Sequence, residues 1–107
     1  TLDNILGKEP VGKVSFIKID VEGAEYFVMK GAENCIKRDR PVIVFEHGVG
    51  GSDCYGRKPE DVFELLHDRC GLHISLLSDY LLRKSPLDLE GFCEQFYKEK
   101  NYFFIAY

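Results

Sequence analysis

Two carboxylates stand where an apolar run of the chain ends. Residues 14–19 are rich in β-branched side chains, which predicts a strand that ends at Asp20. Glu22 and Gly23 follow, and a helical pattern then begins. In open α/β sheets, ligands bind in the crevice beyond the carboxyl ends of the strands. The sequence therefore places Asp20 and Glu22 at a binding crevice. The alternative role for these two carboxylates is to cap the N-terminus of the helix that follows. Gly23 is expected at a backbone position that tolerates no Cβ.

A second polar pair stands at the end of the next apolar run, residues 42–46. Glu46 and His47 would reach the same rim as Asp20 if the two strands are neighbours. A histidine can act there as a general base, with the carboxylate as its orienting partner. Asp20, Glu46 and His47 also have the ligand types of a divalent-metal site. The remaining alternative is a carboxylate that caps a loop beside an exposed imidazole.

The elements that must position these residues alternate between strand and helix, which predicts an α/β fold with parallel pairing and right-handed crossovers. The Gly-rich segment 48–52 is predicted to be a flexible loop, because no Lys-Ser/Thr pair of a phosphate loop follows it. The expected elements are a helical turn at 3–6, a loop at 7–13, strands at 14–20, 42–46, 73–78 and 102–107, and helices at 24–37, 59–71 and 91–97.

The composition and charge argue against a nucleic-acid-binding or membrane-spanning protein. The 107 residues suffice for one domain, and a net charge of −4 gives no reason to expect a nucleic-acid partner. Apolar runs are only strand-length, so no membrane span is expected. The four cysteines contain no CxxC pair, which favours reduced thiols in a cytoplasmic protein and an exposed Cys54. These four are Cys35, Cys54, Cys70 and Cys93.

Four stretches carry a resemblance to a known family. Residues 1–3 (TLD), 16–25 (FIKIDVEGAE), 30–32 (KGA) and 40–46 (RPVIVFE) occur in the order and at the spacing of the FkbM family of S-adenosylmethionine-dependent methyltransferases, which the chain resembles. The similarity is to the carboxyl-terminal half of that domain. It implies a Rossmann-like methyltransferase sheet with flanking helices, three parallel strands and one antiparallel terminal strand inserted between strands two and three.

The same resemblance implies transfer of a methyl group from S-adenosylmethionine to a hydroxyl of a small molecule or sugar. Asp20, Glu46 and His47 are then the expected catalytic residues. Asp20, Glu22 and Gly23 are expected to bind the cofactor, and no metal is assigned. The family's Gly-rich cofactor loop has no counterpart in these residues, so we expect the chain to be part of a larger methyltransferase domain.

A different function class follows from the strand at 14–20. In the implied sheet its outer edge has no neighbour within the chain, and exposed apolar edges are avoided in proteins. We therefore expect pairing through this edge, either in a homodimer or with the missing amino-terminal half. The alternative to an enzyme is a non-catalytic half-domain that acts as an interaction module through this open edge.

Overall fold

Four strands form one mixed sheet in the computed structural model, which describes residues 1–9 and 12–107. The strands are β1 (Phe16–Ile19), β2 (Val42–Glu46), β3 (Ile74–Leu76) and β4 (Phe103–Ala106). The helices are α1 (Leu2–Leu6), α2 (Glu25–Lys30), α3 (Glu33–Asp39), α4 (Pro59–Phe63), α5 (Leu77–Leu81) and α6 (Leu89–Tyr97). A 3₁₀ turn (Ser52–Tyr55) precedes α4, and a π-helical segment (Glu64–Arg69) continues it.

The sheet order is β1-β2-β4-β3. β1 and β2 pair in parallel, whereas β4 runs antiparallel to both of its neighbours, β2 and β3. The expected insertion of an antiparallel terminal strand between strands two and three is confirmed. β1, β2 and β3 run in the same direction, since β2 and β3 are both antiparallel to β4; among the described residues, β1 and β2 are the one pair of neighbouring strands that is parallel.

The core lies on one face of the sheet, beneath α2, α3, α4 and α6. β2 shows the alternation clearly, since Ile43 and Phe45 are fully buried while their neighbours are half-buried. Phe104 of β4 stacks on Phe45, and Phe92 of α6 meets Phe104 edge to face. Each such side chain stabilises the fold by about 1.5–3 kcal/mol through burial.

The single helix expected over 24–37 is wrong, because the chain breaks at Gly31 and forms α2 and α3. The amide of Asp3 donates to the Gly31 carbonyl at 2.9 Å, and the Asp3 carboxylate accepts from the amides of Asn34 and Cys35. α1 thus satisfies the groups that the break leaves free. A Cβ at Gly31 would lie 3.1 Å from Thr1 Cβ, so the start of α1 approaches the break closely.

Other boundaries differ by a few residues. The first strand is shorter than 14–20, and the strand expected at 73–78 ends at Leu76 because α5 starts at Leu77. Helix initiation at Pro59 is confirmed. The loop expected at 7–13 includes residues 10 and 11, which lie outside the described residues. All four cysteines are free, and Cys54 is exposed as expected.

Within the described residues, every helix is too short or too polar to cross a lipid bilayer.

Candidate functional site

A cleft of about 530 Å³ lies at the carboxyl ends of β1 and β2. Its walls come from the turn after β1, the loop that follows β2, the end of α6 and the segment that leads into β4. This is the rim at which the sequence places its candidate residues.

The turn after β1 has a strained backbone. Glu22 has φ 50° and Gly23 has φ 109°, so two successive residues are left-handed. A Cβ at Gly23 would lie 2.3 Å from the carbonyl carbon and oxygen of Gly51. Only glycine allows this contact between the backbones of the two loops. The expected need for glycine at position 23 is confirmed, while its role toward a cofactor stays a prediction.

Glu25 is a site residue that the sequence did not reveal. The helical pattern places it away from the apolar face of the helix, yet it is 2% exposed at the start of α2. Its Oε1 accepts a hydrogen bond from the Gly23 amide at 2.9 Å. Its Oε2 is buried without a hydrogen-bond partner among the described residues. The available signal was its position two residues after Gly23, where a side chain can turn back to the backbone.

His47 is buried in the wall of the cleft and is 2% exposed. Its ring lies against Phe92 and Phe96, with centroid separations of 5.8 and 4.9 Å. Nδ1 is hydrogen-bonded to Ser52 Oγ at 2.7 Å, whereas Nε2 has no partner in the part of the chain that the structure describes. Burial lowers the pKa of His47 to about 4, against an opposing effect of Asp61, so the ring is neutral at pH 7.

The surroundings of His47 correct two expectations. The alternative of an exposed imidazole is wrong. The hydrogen bond that orients the ring comes from Ser52, whereas the sequence assigned that task to Glu46. Ser52 is the last residue of the Gly-rich segment and belongs to no recognisable motif of its own.

The structure brings four of the five predicted site residues to the cleft. Glu22, Gly23, Glu46 and His47 all line it. The side chain of Asp20 is 56% exposed, lies 3.4 Å from Lys18 Nζ and is not among the lining residues. The catalytic and cofactor roles of these five residues stay predictions.

The cleft is acidic. Four glutamates line it and, among the described residues, no lysine or arginine does. They are Glu22, Glu25, Glu46 and Glu99. The geometry does not favour the metal alternative, because within residues 1–9 and 12–107 no three His, Cys, Asp or Glu side chains form a group that could hold a metal ion. The arrangement therefore suits hydrogen-bond donors and organic cations.

Comparison with known proteins identifies the family. The family model of the methyltransferase FkbM domain matches residues 1–73. This match covers β1, β2, the turn at Gly23 and the loop that carries His47 and Ser52. Comparisons with curated proteins and with solved structures gave no match. Because the family model covers more than half of the 107 residues, the predicted family is confirmed, and the chain belongs to the FkbM methyltransferase domain family.

Proposed function

We propose that this chain forms part of a methyltransferase that moves a methyl group from S-adenosylmethionine to a hydroxyl oxygen of a small molecule or sugar. Membership of the family supports methyl transfer in general. The observation that carries the finer proposal is the cleft, which Glu46 and the neutral His47 both line at the carboxyl ends of two parallel strands.

The residues on the β1 side of the cleft fit the cofactor. S-adenosylmethionine carries a sulfonium and an ammonium group, and the cleft offers carboxylates with no lysine or arginine among its described lining residues. We assign Asp20, Glu22 and Gly23 to the cofactor, since they form the end of β1 and the turn that follows. When bound, the cofactor supplies an electrophilic methyl group.

The residues on the β2 side fit the acceptor. As the acceptor oxygen gains the methyl group, its proton must pass to a base. Nδ1 of His47 is held by Ser52, which leaves Nε2 for the acceptor hydroxyl. When Nδ1–H donates to Ser52 Oγ, Nε2 carries the lone pair, and the low pKa keeps it unprotonated at neutral pH. The carboxylate of Glu46 lies at the same rim. Asp20 is the third residue that we assign to catalysis, because it stands directly after β1; this role requires its carboxylate to turn from Lys18 toward the cleft.

The test is a methyl-transfer assay with the intact protein that contains this chain, S-adenosylmethionine and a panel of alcohols and sugars. Separate His47→Gln and Glu46→Gln substitutions should each lower the rate by about 10²–10⁴. Asp20→Ala should abolish transfer without changing the circular dichroism spectrum. Glu64→Gln is the matched control, because Glu64 is exposed and does not line the cleft. No transfer to any hydroxyl acceptor would contradict the proposal.

A second candidate function rests on the position of β1. This strand lies at an edge of the sheet, and Phe16 on it is 58% exposed. Lys18 and Asp20 pair with each other, which weakens their protection of the edge. The edge would serve an interaction module that pairs with a second copy or with an amino-terminal half of the same domain.

Sedimentation of the isolated chain tests this second candidate. We expect dimers or larger species, and Phe16→Lys should shift them to monomers because a lysine on an edge strand discourages pairing. Leu81→Lys is the control, since Leu81 is 73% exposed on α5, away from β1. A stable monomer of the unaltered chain at high micromolar concentration would contradict pairing through this edge.

A further inference from the structure

We propose that the cleft binds a primary ammonium group of an organic ligand, with Glu25 as the residue that recognises it. This inference rests on the proposed function only in placing a ligand in the same cleft. The ammonium could be carried by the methyl acceptor or by the amino-acid end of the cofactor, and the two sources share the same chemistry.

The first observation is the unfinished hydrogen bonding of Glu25. A buried carboxylate is costly unless both oxygens are paired. Oε1 is satisfied by the Gly23 amide, while Oε2 lacks a partner in the described part of the chain. Both Gly23 and Glu25 line the cleft, so a ligand there is the available source of a donor.

The second observation is the charge of the cleft wall. Glu22, Glu46 and Glu99 surround the ligand space together with Glu25, and no lysine or arginine among the described residues lines it. Such a wall attracts cations and disfavours ligands with a net negative charge, such as phosphorylated sugars. Phe96 and Tyr102 also line the cleft, and aromatic side chains favour organic cations over anions.

The third observation concerns His47. When Nδ1–H donates to Ser52 Oγ, Nε2 carries a lone pair, and this atom also lacks a partner among the described residues. An ammonium has three donors and no acceptor. It therefore has a donor for each of these two atoms. A neutral hydroxyl, with one donor, can satisfy only one of them.

The binding test uses calorimetry on the protein with three sugars of similar size, namely glucosamine, glucose and a phosphorylated glucose. At mildly acidic pH, where the amine is protonated, glucosamine should bind about 10- to 100-fold more tightly than glucose, as expected for one charge-assisted hydrogen bond. The phosphorylated sugar should bind most weakly.

The residue test compares Glu25→Gln with Glu90→Gln. Both remove one negative charge, but Glu90 is exposed on α6 and does not line the cleft. Glu25→Gln keeps an oxygen for the Gly23 amide and should remove the preference for glucosamine, whereas Glu90→Gln should retain it.

A third arm distinguishes the two sources of the ammonium. S-adenosylhomocysteine carries the amino-acid end of the cofactor, and methylthioadenosine lacks it. If Glu25 holds that end, Glu25→Gln should weaken binding of S-adenosylhomocysteine about 10-fold or more and leave methylthioadenosine unchanged. If Glu25→Gln alters the affinity of neither glucosamine nor S-adenosylhomocysteine, the proposal is wrong. All three arms measure binding, so they decide this inference even if methyl transfer itself is not observed.

Discussion

Glu25 and Glu33 are both buried glutamates in the first turns of successive helices, but their surroundings are opposite. Glu33 receives Lys30, Lys37 and Arg69 within 2.6–2.7 Å. Glu25 has one backbone donor and no lysine or arginine partner among the described residues. Both oxygens of Glu33 are paired with cationic side chains of the protein. One oxygen of Glu25 lacks a hydrogen-bond donor among the described residues, so a ligand can supply it.

This difference separates stability from function. A buried charge whose partners are all present contributes to stability, although modestly when those partners are half-exposed. A buried polar atom without a hydrogen-bond partner lowers the stability of the fold, and such atoms concentrate at functional sites. Substitutions near Glu25 should therefore change binding more than stability, and substitutions near Glu33 should do the reverse, unless they disturb the backbone.

The largest expected effect is on the backbone that supports Glu25. Gly23→Ala should lower the free energy of unfolding by about 3–5 kcal/mol, because it adds both a left-handed strain and a clash with Gly51. Gly50→Ala is the matched control: its φ is 88°, but no atom of the described residues lies within 4 Å of the added Cβ. It should cost only about 1–2 kcal/mol. Urea denaturation of both variants measures the difference, and equal losses would show that the contact with Gly51 contributes nothing.

The second largest expected effect is the pH dependence of folding stability that arises from His47. Its pKa is lowered to about 4 from 6.5, so below pH 6.5 the unfolded chain takes up a proton that the folded chain does not. Stability should therefore fall by about 2–3 kcal/mol between pH 6.5 and pH 4. Denaturation across this range should show a slope that His47→Gln removes. An unchanged slope in the variant would assign the effect to other groups.

Glu33, the carboxylate with three cationic partners, should affect stability at lower pH than His47 does. Hydrogen bonds from Lys30 and Lys37, with the charge of Arg69, lower the pKa of Glu33 to about 2. The stability that this residue contributes is present above pH 4.5 and lost as the pH falls toward 2. Glu33→Gln should cost about 1–2 kcal/mol at neutral pH, since its three cations are half-exposed. If Glu33→Gln leaves the free energy of unfolding unchanged, this network contributes as little as an ordinary surface ion pair.

The smallest effect on stability should come from Glu25→Gln. The amide keeps an acceptor for Gly23 and removes a charge that lacks a second donor, so the free energy of unfolding should stay the same or rise by up to about 1 kcal/mol. Thermal denaturation beside Glu33→Gln gives the direct comparison. A loss larger than that of Glu33→Gln would make Glu25 a structural residue and reverse the contrast.

The sequence predicted the type and order of most elements because their signals are local. The apolar runs around β1 and β2, and the proline that opens α4, depend on neighbouring residues alone. The break between α2 and α3 does not, since it is stabilised by Asp3, which lies far away in the sequence. Strand order within the sheet likewise came from the family resemblance and not from periodicity.

The candidate site likewise contains residues with local sequence signals and residues without them. Glu22, Gly23, Glu46 and His47 could be placed at one rim because each ends or follows a recognisable strand. Glu25 and Ser52 could not, because their importance lies in hydrogen bonds whose geometry depends on a strained turn and a folded loop. Asp20 has the sequence position of a site residue, but its side chain points to the exposed surface near Lys18.

The cap that Asp3 provides links the motion of α3 to another helix. The amides of Asn34 and Cys35 are protected by a carboxylate on α1, so they should exchange with solvent deuterium whenever α1 detaches, even while α3 itself stays intact. The exchange rates of these two amides therefore report the local opening of α1. In a ligand titration they would show whether events at the cleft reach the far end of the helix pair.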